Sequence, residues 1–213
     1  MIILKVDPDN PDMKVIRAAA DAIRAGQLVI FPTETVYGLA ADAMNENAVK
    51  SVFDAKGRVD KQPLPVQVAS LDAVSQAAEF VPVNVKPLAE LYWPGPLTLV
   101  LVKNASLPKI VTGGRETVGV RVPDHPVALA LAKAVGSPII ATSANVSGDR
   151  PPTNAEDAVK EVGRSAAVVL DGGESRLGQS STVVDVTVTP ARVLRRGSIS
   201  VDDIRKVLGE VEE

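Results

Sequence analysis

The sequence predicts one α/β domain, residues 1–213, built on an open, mixed β-sheet flanked by helices. Three observations lead there. Stretches with helical apolar spacing alternate with short apolar runs along the chain. No repeat, linker or low-complexity segment interrupts them. Some of the last apolar runs follow one another with no helix between, so the sheet is expected to be mixed rather than purely parallel. At 213 residues and 46% hydrophobic composition, the chain can bury a full core.

The elements follow in order. Lys14 to Ala25 carries Ile16, Ala19, Ala20 and Ile23 at helical spacing, and Gly26 closes it. Gln27 to Phe31 reads as a strand, Asn45 to Ala55 as a helix and Leu64 to Ala69 as a strand. Asn84 to Tyr92 is a helix with Pro87 in its first turn, stopped by Pro94-Gly95-Pro96. Leu97 to Val102 is apolar almost throughout and is expected to be covered on both faces. Thr117 to Val122 is another strand. Asp124-His125-Pro126 caps a helix through Val135, ended by Gly136. Thr153-x-x-Glu156 has the form of a capping box. Ala166 to Leu170, Ser181 to Val186 and Arg192 to Arg195 are strands, and Ser200 caps a last helix, Val201 to Leu208. The reading totals eight or nine strands and seven helices.

Composition removes several chemistries. There is no cysteine, so disulfides, thiolate catalysis and Cys-ligated zinc are excluded. His125 is the one histidine, which argues against a His-rich metal site or a Ser-His-Asp triad; it reads as a capping or loop residue. No metal site is expected from the protein's own side chains. No apolar run approaches the ~20 residues of a membrane span, and Met1 to Asn10 lacks a signal-peptide layout. The expectation is a cytoplasmic protein with no membrane contact. A net charge of −3 is unlike a globally basic nucleic-acid binder.

The cations are placed unevenly. Lys56, Arg58, Lys61, Arg115, Arg121, Arg150, Arg195 and Arg196 fall in loops or at strand ends. Each alone reads as surface charge; together they point to a focused anion site. Lys56 and Arg58 are two residues apart, so they cannot share a helix face but could share one side of an extended segment. The other reading is a solvated helix C-terminus with Gly57 as its cap. Thr142-Ser143-Ala144-Asn145-Val146-Ser147-Gly148 is a run of small polar residues whose backbone amides a ligand could approach. Thr33-Glu34-Thr35 follows the first strong strand, either as a strand-to-helix turn or as a polar pocket at a strand end. Arg121 lies in an apolar strand and must find an acid, Asp124 or another, or a ligand anion. The loops at Gly172-Gly173 and Gly178 to Thr182, and the Arg195-Arg196-Gly197 turn, could reach the same cleft. Neither common nucleotide fingerprint is present.

Six ordered motifs, F-P-T-E-T-V-Y-G-L-A, K-G-R-V-D-K-Q-P-L-P-V-Q, W-P-G-P-L-T-L-V-L, V-G-V-R-V-P-D-H, T-S-A-N-V-S-G and S-S-T-V-V-D-V with V-L-R-R-G-S-I, resemble the YrdC-like threonylcarbamoyl-AMP synthase family from about Leu28 to Ile199. The resemblance, to the family's short form, implies a twisted sheet with a large positive cavity. It implies that L-threonine, bicarbonate or CO2 and ATP, with Mg2+, give threonylcarbamoyl-AMP and pyrophosphate. The product would pass to a threonylcarbamoyl-transferase machinery that modifies the adenosine at tRNA position 37, and tRNA or double-stranded RNA contact is a further implied partner.

Carried over motif by motif, Lys56 and Arg58 match the cations that hold and stabilise phosphate charge. Gln62, Thr117, Ser143, Pro151 and Arg195 match further nucleotide positions. Thr35, Gln67, Arg121, Ala141 and Ser181 match the L-threonine positions. Two departures stand out. Gln67 replaces a common histidine and cannot act as a base near neutral pH, and the loop reads G-D-R-P-P-T around Pro151. No dedicated general base is identified. The alternatives are a double-stranded-RNA-binding module without adenylate chemistry, against which acidity and few aromatics stand, and a paralogue acting on another carbamoyl-adenylate substrate.

Overall fold

Short apolar runs too brief for helices become the strands of one sheet. The computed structural model describes residues 1–58 and 62–213, which leaves Lys61 outside the described residues. The chain runs β1 (Ile2–Lys5), α1 (Met13–Arg24), β2 (Leu28–Phe31), β3 (Gly38–Asp42), α2 (Glu46–Lys56), β4 (Val66–Gln67), α3 (Lys86–Tyr92), β5 (Leu97–Val102) and β6 (Thr117–Arg121). It continues α4 (Pro126–Val135), β7 (Ile139–Ser143), α5 (Ala155–Val162), β8 (Ala166–Asp171), β9 (Thr182–Asp185), β10 (Ala191–Arg195), α6 (Val201–Leu208) and β11 (Val211–Glu212). Short 3-10 turns lie at Asp72–Gln76 and Gly163–Ser165.

The sheet order is β1-β8-β2-β3-β7-β4-β6-β5-β9-β10-β11. Pairs such as β4 with β6 and β5 with β9 are parallel, while β2 with β3, β5 with β6 and β9 with β10 are antiparallel. The sheet is therefore mixed, as the closing run of strands predicts.

Strand alternation divides the core. Leu28, Ile30, Leu39, Ala41 and Ile140 face one side, with α2, α3, α5 and α6. Val29, Phe31, Ala40 and Ile139 face the other, under α1 and α4. The strands β4, β6, β5 and β9 contribute Val66, Val120, Leu99 and Val184 to the first core only. Among the described residues no helix covers their second face, which becomes the floor of a cavity.

That arrangement corrects several expectations. β5 is covered on one face: Leu97, Leu99 and Leu101 enter the core, whereas Thr98 and Val100 line the cavity. The Thr33–Thr35 run does not lead into a helix but joins antiparallel β2 and β3. Lys56 and Arg58 do not share an extended segment. Lys56 ends α2, and Gly57 terminates it in the left-handed conformation at φ +56°, where only glycine is unstrained. Asn154, not Thr153, caps α5 by accepting from Asp157 N at 2.8 Å; Thr153 Oγ1 donates to Glu174 instead, 2.6 Å away. The Leu64–Ala69 strand shortens to Val66–Gln67. Among the described residues there are six α-helices and eleven strands.

Candidate functional site

The cavity encloses about 270 Å³ and is lined from seven adjacent strands, β3 to β10 in the sheet order, and the loops at their ends. Its floor alternates with the core. β6 gives Thr117, Gly119 and Arg121; β5 gives Thr98 and Val100; β4 gives Gln67; β7 gives Ala141 and Ser143. Ser181 sits just before β9, which adds Val183 and Asp185. Among the described residues, four arginines, Arg58, Arg115, Arg121 and Arg195, line it against one carboxylate, Asp185. That imbalance in a partly enclosed space favours an anionic ligand.

At one end, the β2–β3 turn meets the end of β6. Thr33 Oγ1 donates to Val36 O at 2.6 Å and lies 2.9 Å from Thr35 Oγ1. Thr35 Oγ1 accepts from Arg121 Nη1 at 3.0 Å. Arg121 Nε donates to Gly95 O at 3.0 Å, and its Nη2 lies 2.6 Å from Glu34 Oε1. Arg121 therefore does find an acid, but it is Glu34; Asp124 pairs with Arg176. The same Glu34 oxygen accepts from Asp124 N at 3.0 Å, tying this end to the start of α4. His125 caps that helix by accepting from Val127 N at 3.2 Å. Burial, the largest influence, lowers its pKa. Gln67, paired in register with Arg121, has its Oε1 buried with no partner among the described residues.

At the other end, Arg58 reaches the cavity and is held at Nε by Gln62 Oε1. Lys56 does not line the cavity. It is 3% exposed, and its ammonium donates to Ser143 O at 2.5 Å and Asn145 O at 2.6 Å. Ser147 N donates back to Lys56 O at 2.9 Å, so the end of α2 clamps the loop after β7. Burial first, and then Arg58, pushes the Lys56 ammonium down to about 8. Burial likewise lowers Arg58, and it lowers Arg195 with help from Arg121 and Arg58. Arg195 donates through Nε and Nη2 to Ser181 O and through Nη2 to Ser181 Oγ, at 2.9–3.1 Å.

Of the residues singled out in the sequence, Thr35, Arg58, Gln67, Thr117, Arg121, Ala141, Ser143, Ser181 and Arg195 share this cavity. Lys56, Gln62 and Pro151 are not in its lining: Lys56 and Gln62 support lining residues, and Pro151 lies on the loop after β7. Sequence reasoning placed Glu34 in a polar cluster without naming it as the partner of Arg121, and gave no role to Thr98. Glu34 sits in a quoted motif, and Thr98 is the one polar residue in an apolar strand.

The Sua5/YciO/YrdC family model, described as "Telomere recombination", matches residues 21–197. A Pyrococcus abyssi protein named Threonylcarbamoyl-AMP synthase is 47% identical over 196 residues, 92% of this chain and 58% of the relative. A Bacillus subtilis protein of the same name is 42% identical over 94% of this chain and 58% of its own. The chain thus spans somewhat over half the length of these curated relatives. The crystal structure of P. abyssi Sua5 complexed with L-threonine superposes with TM-score 0.96 at 45% identity, over 100% of this chain and 62% of that one. Escherichia coli YciO matches with TM-score 0.87 at 26% identity, over 95% of this chain and 99% of that one. On the family match and these identities, the chain belongs to the Sua5/YciO/YrdC family.

Proposed function

We propose that this chain is an L-threonylcarbamoyladenylate synthase, a nucleotidyltransferase that forms threonylcarbamoyl-AMP and pyrophosphate from L-threonine, CO2 or bicarbonate, and ATP. The observation that carries the reading is one cavity whose two ends differ. Thr35, Gln67, Arg121 and Ser181 offer a polar pocket, Arg58, Thr117 and Ser143 line the other end, and Arg195, which donates to Ser181, lies between them. The names and the threonine complex of its relatives support assigning the first end to L-threonine and the second to ATP.

The chemistry balances with these groups. The threonine amine adds to CO2, loses a proton to water and becomes a carbamate. A carbamate oxygen attacks the α-phosphorus, the bond to the bridging oxygen breaks, and pyrophosphate leaves with that electron pair. Such a transfer needs positioning and charge stabilisation more than a base. Arg121 holds the threonine carboxylate with the two N–H donors that Gly95, Thr35 and Glu34 leave free. Gln67 Oε1 accepts from the threonine hydroxyl or amine. Arg58 neutralises the departing pyrophosphate by contact, with Gln62 holding its Nε. Lys56 adds charge from behind the Ser143 wall. Magnesium enters with the triphosphate as part of the substrate. The adenylate then passes to a transferase that modifies tRNA. The reaction fits the cytoplasm, and no helix among the described residues is long and apolar enough to cross a membrane.

Calorimetry on Arg121→Lys tests the division of the cavity. Lysine keeps the charge but loses the fork, so threonine affinity falls more than ATP affinity. Among amino acids, serine replaces threonine better than valine does, because valine leaves buried polar groups unpaired. Weakened ATP with unchanged threonine would reassign Arg121 to the nucleotide.

A further inference from the structure

Thr98 stands in the middle of the cavity floor and is 4% exposed. Its Oγ1 lies 2.8 Å from Ser181 Oγ, its one side-chain partner among the described residues. Its methyl faces the neighbouring strand: a Cβ built on Gly119 would lie 3.2 Å from Thr98 Cγ2. The bare Gly119 therefore leaves room for the methyl on the β6 side, with the hydroxyl turned to Ser181.

The proton count at this pair is informative. Ser181 Oγ also receives Nη2 of Arg195 at 2.9 Å. A guanidinium only donates, so this contact occupies a serine lone pair. Two hydroxyl protons remain between Ser181 and Thr98. One closes the bond between them. The other has no acceptor among the described residues, and both residues line the cavity. The pair thus turns one proton donor toward the ligand, on a floor that also carries Arg121 and Arg195. A donor beside two cations matches an anionic oxygen and mismatches a cationic group.

We infer that Thr98 is a positioning residue: through Ser181 it fixes one hydroxyl donor for the carboxylate or carbamate oxygen of the amino-acid substrate. This rests on the function proposed above. Thr98 touches no reacting atom in this scheme; it sets where the Ser181 proton points.

The test is L-threonine and ATP binding by calorimetry on the full chain. Thr98→Val keeps the shape and removes the hydroxyl. Threonine affinity should fall three- to tenfold, with ATP affinity and the thermal midpoint unchanged. Thr98→Ser should restore threonine binding, and in a Ser181→Ala background Thr98→Val should add nothing. Thr98→Ala, which also lacks the hydroxyl and adds no bulk, guards against a misfolded valine variant and should also weaken threonine. Wild-type threonine affinity in Thr98→Val or Thr98→Ala overturns the inference and leaves the proposed function standing. Equal loss of ATP and threonine affinity also overturns it, because that is what a merely structural role produces. Failure of the wild-type chain to bind threonine removes the proposed function and this inference together.

Discussion

The Arg121 guanidinium meets the Glu34 carboxylate at 2.6 Å, and the two side chains are 8% and 1% exposed. Glu34 comes from the β2–β3 turn and Arg121 from the end of β6, so the pair fastens one end of the cavity across the sheet. With Gly95 O and Thr35 Oγ1 also taken, most of the Arg121 fork is fixed before any ligand arrives.

Removing one member of this pair strands a buried charge. Glu34→Ala should therefore destabilise the fold by about 3–5 kcal/mol, far beyond an exposed ion pair. Arg176→Ala, which breaks the exposed pair with Asp124, should cost less than about 1 kcal/mol. Urea unfolding of both variants measures the contrast. Equal small losses would mean that Glu34 does not hold Arg121.

Lys56 gives a pH signature. Its ammonium is held at about 8 in the fold, against 10.5 for a free lysine. Between these values the unfolded chain binds a proton that the folded chain does not, so this residue makes stability rise with pH across that window. Wild type compared with Lys56→Met should show the difference growing from pH 8 to pH 10.5, by roughly 1–3 kcal/mol. A pH-independent difference would contradict a buried, depressed Lys56.

Arg58 differs from Lys56 because it reaches the cavity and is held by Gln62 alone among the described residues. Arg58→Ala should remove a charge-assisted contact of about 1.5–3 kcal/mol and weaken ATP about ten- to a hundredfold. The thermal midpoint of the ligand-free chain should hardly move. A large loss of ligand-free stability with unchanged ATP binding would make Arg58 structural.

Gly197 follows the last arginine pair and packs onto backbone. A Cβ there would lie 2.3 Å from Ser180 O and 2.4 Å from Thr182 N. Gly197→Ala must push the 180–182 segment, so it should destabilise by about 1–3 kcal/mol and lower the thermal midpoint by several degrees. Because Ser181 moves with that segment, threonine binding should weaken as well. An unaltered midpoint would show that the turn yields without strain.

Much of this was legible from residue order. The helices at α1, α4 and α6 follow from apolar spacing and, for α4 and α6, from the caps His125 and Ser200. β3 was not legible, because Gly38-Leu39-Ala40-Ala41-Asp42 has little β preference and is held by β2 and β7 on either side. The partner of Arg121 was hidden because Glu34 lies far off in sequence and only the sheet order brings them together. Lys56 stood between two readings, and the structure bears out the helix end capped by Gly57, with the ammonium buried against the β7 loop instead of solvated. The bare face of β5 was missed because Leu97-Thr98-Leu99-Val100-Leu101 differs from a doubly covered strand only at Thr98.

The central claim is most directly tested by product analysis. The purified chain is incubated with ATP, Mg2+, bicarbonate and labelled L-threonine, and the adenylate and pyrophosphate are separated and identified. Labelled threonylcarbamoyl-AMP and an equal amount of pyrophosphate are expected, both dependent on bicarbonate and both lost in Arg58→Ala. A folded chain that binds ATP and threonine yet forms neither product would contradict that claim.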